Sequence, residues 1–309
     1  MKIAIAGSGA MGSRFGYMLH QAGNQVTLID LWPEHISTIN TKGLSVESAG
    51  EQKFVRIPAA FPEDVHADFD LILLFTKAMQ LSDMLKKIAH LLTENTAVLC
   101  LSNGIGNLEN IQKVAPHIDL LVGTTLWTSE LVGPGSVILN GSGYIEFQAI
   151  ENVSHETVNT INDVLNAAGL NARPSNNVLL SIWKKACLNG VLNTLCTILD
   201  CKIMELNKSQ YTSVLTKRIV AEFEAVAKAK DIPLTAELAL KTIDASLAPD
   251  QAGDHYPSMH QDIASGRRTE IDYLNGAIAR MGKELNIPTP TNTLITELIH
   301  AREDIAFKN

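Results

Sequence analysis

The chain has 309 residues, enough for two domains with a core each, and its composition of 46% hydrophobic and 19% charged residues is that of an ordinary soluble globular protein. A formal net charge of −8 without any basic cluster argues against nucleic acid as a partner, because phosphate neutralisation needs concentrated Lys and Arg. No apolar run approaches the ~20 residues of a membrane helix, and the apolar start reads as a strand rather than a cleavable signal, so a cytoplasmic protein without a membrane partner is expected.

Residues 1–6 form a short apolar strand that runs into Gly7-Ser8-Gly9-Ala10-Met11-Gly12, three glycines spaced G-x-G-x-x-G. Glycines recur at this spacing by chance, and the context gives the pattern its weight. A strand precedes it, residues 13–22 read as a helix ending at Gly23, and residues 25–30 read as a second strand. In such a unit Gly7 permits the tight turn, Gly9 lets the backbone approach a pyrophosphate, and Gly12 lets the helix pack on the strand. The diphosphate then sits on the N–H groups of the helix terminus.

Asp30 follows about 20 residues after the loop, where a carboxylate accepts hydrogen bonds from the adenosine ribose. An acid there repels a 2′-phosphate and no arginine follows to welcome one, which favours NAD and leaves NADP second; the alternative is that Asp30 only caps the helix starting near Pro33. Residues 69–75 are an almost unbroken apolar run, as in a parallel strand covered on both faces. Lys77 then lies at a carboxyl strand end, either in a ligand site or on the solvated surface. Residues 97–102 repeat the arrangement and lead into Asn103-Gly104, a ligand contact or a turn. Beyond an apolar strand at 120–125, glycine-rich punctuation separates short strands at 137–139 and 144–147 that look like hairpins. A helix at 155–168 and a strand entering Arg173-Pro174 complete the α/β part.

From Val178 the chain reads as helices, with apolar residues at three- and four-residue spacing through 178–199, 211–230, 236–245, 269–285 and 294–303. The first carries Lys185, Asn189 and Asn193 at i, i+4 and i+8, one face of an otherwise apolar helix. One ammonium and two amides are costly to bury without partners, so this stripe points to a polar cleft rather than a solvated face. A second polar cluster contains Ser258, which by spacing alone reads as a helix cap, and Glu270, which reads as a first-turn acid. The four cysteines show no C-x-x-C pair and the nine histidines are scattered; free thiols and no metal site are expected.

Taken together, the glycine loop, Thr76-Lys77, Ser102-Asn103-Gly104, the 183–193 helix, Pro257-Ser258-Met259 with Asp262, Glu270 to Gly276 and Ile287-Pro288-Thr289-Pro290 resemble the ketopantoate reductase (2-dehydropantoate 2-reductase) family of pantothenate biosynthesis across nearly the whole chain. The resemblance implies an α/β, Rossmann-type dinucleotide-binding domain, placed here at 1–172, and an all-α substrate-binding and dimerisation domain at 173–309, with a substrate cleft between them. It implies hydride transfer from NAD(P)H to 2-dehydropantoate with Lys185 as general acid. By the same resemblance Asn189, Asn193 and Ser258 contact the substrate, Asn103 reaches cofactor and substrate, and Lys77 holds the adenosine side. Glu270 organises substrate and nicotinamide. Separately, the apolar C-terminal helices lead to the expectation of a homodimer. The chain departs from its relatives at Asp30-Leu31, where most NADP-preferring members carry a basic or neutral residue, and at His255, where some carry Asn. A reductase of another branched 2-oxo acid and a non-catalytic nucleotide-sensing regulator are the competing readings.

Overall fold

The computed structural model describes residues 1–150, 153–248 and 253–307. It divides into two compact units, 1–102 with 107–178, and 103–106 with 179–309.

The first unit opens with β1 (Lys2–Ala6), α1 (Ala10–Gln21), β2 (Gln25–Ile29) and α2 (Pro33–Lys42). A hairpin of β3 (Leu44–Ser48) and β4 (Glu51–Val55) follows, then β5 (Ala59–Ala60), β6 (Leu71–Leu74), α3 (Leu81–Lys87), β7 (Ala97–Cys100) and α4 (Asn107–Val114). The remainder is β8 (Asp119–Thr125), β9 (Thr128–Gly133), β10 (Ser136–Asn140), β11 (Ile145–Ala149), α5 (His155–Ala167) and β12 (Ala172–Pro174). The main sheet has the order β12-β11-β8-β7-β6-β1-β2-β5. It is parallel from β8 to β5, while β11 runs antiparallel to β8 and parallel to β12.

The central strands β6 and β7 are apolar and buried at every position because both faces are covered. Ile3, Ile5, Leu71, Leu73, Leu99 and Leu121 join Phe15 and Leu19 of α1 in one core. Each such side chain contributes about 1.5–3 kcal/mol by burial. The short strands of the hairpin region do not all extend this sheet. A second sheet, β4-β3-β10-β9, stands apart: β9–β10 is a hairpin, whereas β11, expected as a hairpin strand, joins the main sheet beside β8. Arg14 ties α1 to it: the guanidinium donates to the carbonyls of Thr128 (2.6 Å) and Asn140 (2.7 Å) and lies over the Trp127 ring.

The second unit is helical: α6 (Val178–Leu199), α7 (Thr212–Ala229), α8 (Ala236–Ser246), α9 (Ser258–Ala264), α10 (Asn275–Leu285) and α11 (Pro290–Ala306). Val191, Leu195, Ile219, Phe223, Ile243, Ile278 and Ile299 are among its core. The expected helix at 269–285 divides in two. Ile271–Tyr273 is a 3-10 turn, and Leu274, at φ −115° and ψ −106°, breaks the path before α10. Apolar Ile271, Leu274 and Ile278 keep a helical spacing across that break, so periodicity alone runs the two together. Among the described residues no helix is long and apolar enough to cross a membrane.

Candidate active site

In the first unit β1 delivers the chain to Gly7, whose φ of +95° is closed to most residues and where a Cβ would lie 2.5 Å from the Thr76 amide nitrogen. The glycine turn therefore rests on the backbone that leads into Lys77. At Gly12 a Cβ would strike the Gly7 carbonyl oxygen, so only glycine lets α1 begin there. The helix starts at Ala10, inside the motif rather than after it. Gly9 is its N-cap, no side chain caps it, its first turn carries no acid, and a Cβ on Gly9 would meet nothing within 4 Å. Open space thus lies above a helix terminus whose first N–H groups lack intrahelical acceptors. These residues fit the diphosphate of a dinucleotide.

Asp30 stands directly beyond β2 and beside this loop. Its Oδ2 accepts from the Ser8 amide (2.7 Å) and the Ser8 hydroxyl (3.1 Å), and its Oδ1 from the amides of Leu31 (2.8 Å) and Trp32 (3.1 Å). It is not the cap of α2, whose N-cap is Trp32 without a side-chain hydrogen bond. The sequence reading missed that Ser8 is spent on Asp30, which couples the acid to the glycine turn. Beneath them the buried His35 ring accepts the Gly135 amide on Nδ1 at 2.9 Å, as a neutral imidazole does. Burial pushes its pKa down against the pull of Asp30.

In the second unit α6 presents Lys185, Asn189 and Asn193 on one face, all half-buried. Burial pushes the Lys185 ammonium down to about 8, while the Glu270 carboxylate is close enough to raise it. The side chain keeps partial access to the surface, yet protein surrounds the ammonium closely enough for desolvation to dominate. Asn193 donates to the Ser258 hydroxyl at 3.4 Å. Ser258 is not a cap as expected; it is the first residue of α9, behind Pro257 at the N-cap. Glu270 is likewise outside any α-helical first turn and precedes the 3-10 turn. Asn103 belongs to the same compact unit: Gly104 beside it would drive a Cβ to 2.7 Å from Tyr273 Cβ, and the Ile105 amide donates to the Tyr273 carbonyl at 2.8 Å.

The α6 face is held from behind by residues that sequence reasoning missed. A Cβ on Gly190 would meet Phe223 at 3.0 Å, and the Gly190 carbonyl accepts from Asn275 Nδ2 at 3.0 Å. Asn275 in turn donates to Asn292, which is held by Glu222. These are long-range polar contacts without a local signal. His255 is exposed and its carbonyl accepts the Ile203 amide. All four cysteines are free thiols, three of them buried.

A glycine-turn nucleotide cradle on a parallel sheet, followed by a helical unit with a depressed lysine beside a carboxylate, defines a Rossmann-type NAD(P)-dependent oxidoreductase. Residues 3–152 match the ketopantoate reductase PanE/ApbA family and residues 177–303 match its C-terminal counterpart, and the chain belongs to that family. It is 44% identical over 308 residues to the 2-dehydropantoate 2-reductase of Lactococcus lactis subsp. lactis strain IL1403, covering 99% of each chain. It is 31% identical over 316 residues to the enzyme of that name from Pyrococcus abyssi strain GE5, covering 100% of each. Among solved structures, a ternary complex of D-mandelate dehydrogenase with NADH and anilino(oxo)acetate superposes with a TM-score of 0.96 at 46% identity, over 99% of each chain.

Proposed function

We propose that the protein reduces 2-dehydropantoate to (R)-pantoate with NADH, Lys185 acting as general acid. The observation that carries this reading is the Lys185 ammonium, pushed down to about 8 beside Glu270 on a face shared with two asparagines. The bound nicotinamide supplies the hydride that adds to C2 of the 2-oxo acid. Lys185 Nζ donates its proton to the carbonyl oxygen, so the C=O π bond becomes C–H and O–H, and the neutral amine recovers a proton from water. An ammonium near 8 is still mostly charged at neutral pH and gives up its proton far more readily than a free lysine. Before transfer the same charge stabilises the growing alkoxide.

In this reading residues 1–172 bind the dinucleotide through Gly7, Ser8, Gly9, Ala10, Met11, Gly12, Asp30 and Lys77, and residues 173–309 bind substrate. Asn189, Asn193 and Ser258 hold the substrate's polar groups, Asn103 serves both ligands, and Glu270 orients substrate and nicotinamide. NAD(H) is preferred to NADP(H) because the Asp30 carboxylate faces the adenosine ribose. A cytoplasmic homodimer completes the proposal; exposed Leu294, Leu298 and Ile305 along α11 support the dimer, which light scattering checks.

A second reading is favoured by one finding, the close similarity to a D-mandelate dehydrogenase bound to NADH: the same chemistry on a 2-oxo acid whose carbonyl carbon carries an aromatic ring. Steady-state assays with ketopantoate, phenylglyoxylate and 2-oxoisovalerate, each with NADH and NADPH, decide. Highest kcat/KM for ketopantoate with NADH supports the proposal. A large excess for phenylglyoxylate replaces the substrate, NADPH preference refutes the role of Asp30, and tight NADH binding without any turnover favours a nucleotide-sensing regulator.

A further inference from the structure

Glu270 lies in a stretch that is not itself α-helical, between the exposed Arg268 and the break at Leu274. A carboxylate that tunes an ammonium by its charge needs a fixed position, and the stretch is fixed by α11. Glu303, 1% exposed, accepts the Thr269 amide on Oε1 at 2.7 Å and the Arg268 guanidinium on Oε2 at 2.7 Å. That anchors the chain on the N-terminal side of Glu270. On the C-terminal side His300, one helical turn before Glu303, bonds Asp272 Oδ1 through Nε2 at 3.0 Å, and its Nδ1 meets Glu303 Oε2 at 3.3 Å.

We propose that Glu303 and His300 are positioning residues for the reduction, a bracket on α11 that grips both flanks of Glu270 and so sets its carboxylate against Lys185. The proposal rests on the reading of Lys185 as the acid. Both ring nitrogens of His300 face carboxylate oxygens, so both serve as donors only when the ring is an imidazolium. Burial opposes that charge, but Asp272 and Glu303 outweigh it and hold the His300 pKa up. The charged groups that act on the ring are Asp272 and Glu303; their own neighbours are Arg268, which also pairs with Asp304 at 3.3 Å, and Arg280, which donates to the Asp272 carbonyl. Burial likewise opposes ionisation of Glu303, and its bonds from Arg268, Thr269 and His300 keep the carboxyl below the usual range. The bracket is thus a charged chain, Arg268, Glu303, His300 and Asp272, closed around one residue of the site.

The test follows Lys185 itself in the full-length protein, because Glu270 raises its pKa. Competitive acetylation read by mass spectrometry gives its titration midpoint in the wild type, His300→Ala and Asp272→Ala. Asp272 is well exposed, so the second variant keeps the fold if the first does not, and circular dichroism checks both. With the bracket opened, the midpoint falls below about 8 by about half a pH unit or more. In parallel kcat falls about tenfold while the KM for NADH stays within twofold. A folded variant in which Lys185 titrates as in the wild type, or higher, overturns the bracket. If the wild type reduces none of the 2-oxo acids while the midpoint still falls in the variants, the proposed function fails and the bracket stands.

Discussion

Replacing Lys185 by Met should abolish turnover and yet stabilise the fold at neutral pH. The fall of the ammonium from ~10.4 in a free lysine to about 8 reports that folding penalises its charged form even though Glu270 attracts it. At about 1.36 kcal/mol per pH unit this amounts to roughly 3 kcal/mol. Partial access to the surface screens it, and the variant leaves Glu270 facing a thioether, so a net gain of about 1–2 kcal/mol is the reasonable expectation. The folded state sheds its proton near 8 and the unfolded state near 10.4, so between those values the unfolded chain binds more protons and wild-type stability rises with pH. Below 8 the full penalty applies. The advantage of Lys185→Met is therefore largest at pH 7 and shrinks as pH climbs towards 10. Calorimetry on both proteins at pH 7 and pH 9.5 measures it, with about 2–4 °C of Tm expected per kcal/mol in a unit of this size. A variant less stable than wild type at pH 7, or a difference unchanged by pH, refutes the account of Lys185 as a desolvated ammonium.

Lys185→Ala should lower kcat at least a hundredfold with NADH affinity nearly intact by fluorescence titration, since general acid catalysis contributes about 10²–10⁴ in rate. In the wild type the reductive rate should hold below pH 8 and decline above it as the ammonium is lost, while oxidation of the hydroxy acid, which needs the free amine, should rise through the same range; a flat profile from pH 6 to 10 contradicts the assignment. Gly12→Ala sets a Cβ against the Gly7 carbonyl oxygen and should abolish NADH binding, whereas Gly9→Ala, with open space above it, should weaken binding only through the incoming diphosphate. Isothermal titration on the two variants separates them, and equal affinities would refute the steric argument.

The parallel sheet and the nucleotide turn were legible because their causes are local. The spacing of Gly7, Gly9 and Gly12, the buried apolar strands and the bounds of α6 all follow from neighbours within one element. The Lys185, Asn189 and Asn193 face was legible for the same reason, since helical periodicity places them together. What escaped depends on distant partners. The hairpin of β3 and β4 is mostly exposed on β4 and carries little apolar alternation. Loop 103–106 sits against Tyr273, some 170 residues away in sequence. The break at Leu274 is a backbone twist inside an intact apolar period, and Glu303 and His300 read from sequence as ordinary polar positions of a long helix. Only their meeting with residues 268–272 gives them a role.

Asp30 shows how much of a candidate residue's surroundings the sequence leaves unstated. Its four chain donors occupy about as many lone-pair sites as a carboxylate offers. Hydrogen bonding to ribose would then have to share oxygens with the Ser8 hydroxyl, the longer of the Oδ2 contacts. Discrimination against a 2′-phosphate needs no vacant lone pair, because it acts through charge. At ~4 Å and an effective dielectric constant of ~20, two unit charges repel by about 4 kcal/mol, roughly a thousandfold in affinity, and salt weakens this only partly at such short range. The neutral His35 below adds no compensating cation. In the proposed reading, cofactor preference is therefore set by the net charge at the end of β2, which the bonds from Ser8, Leu31 and Trp32 keep in place.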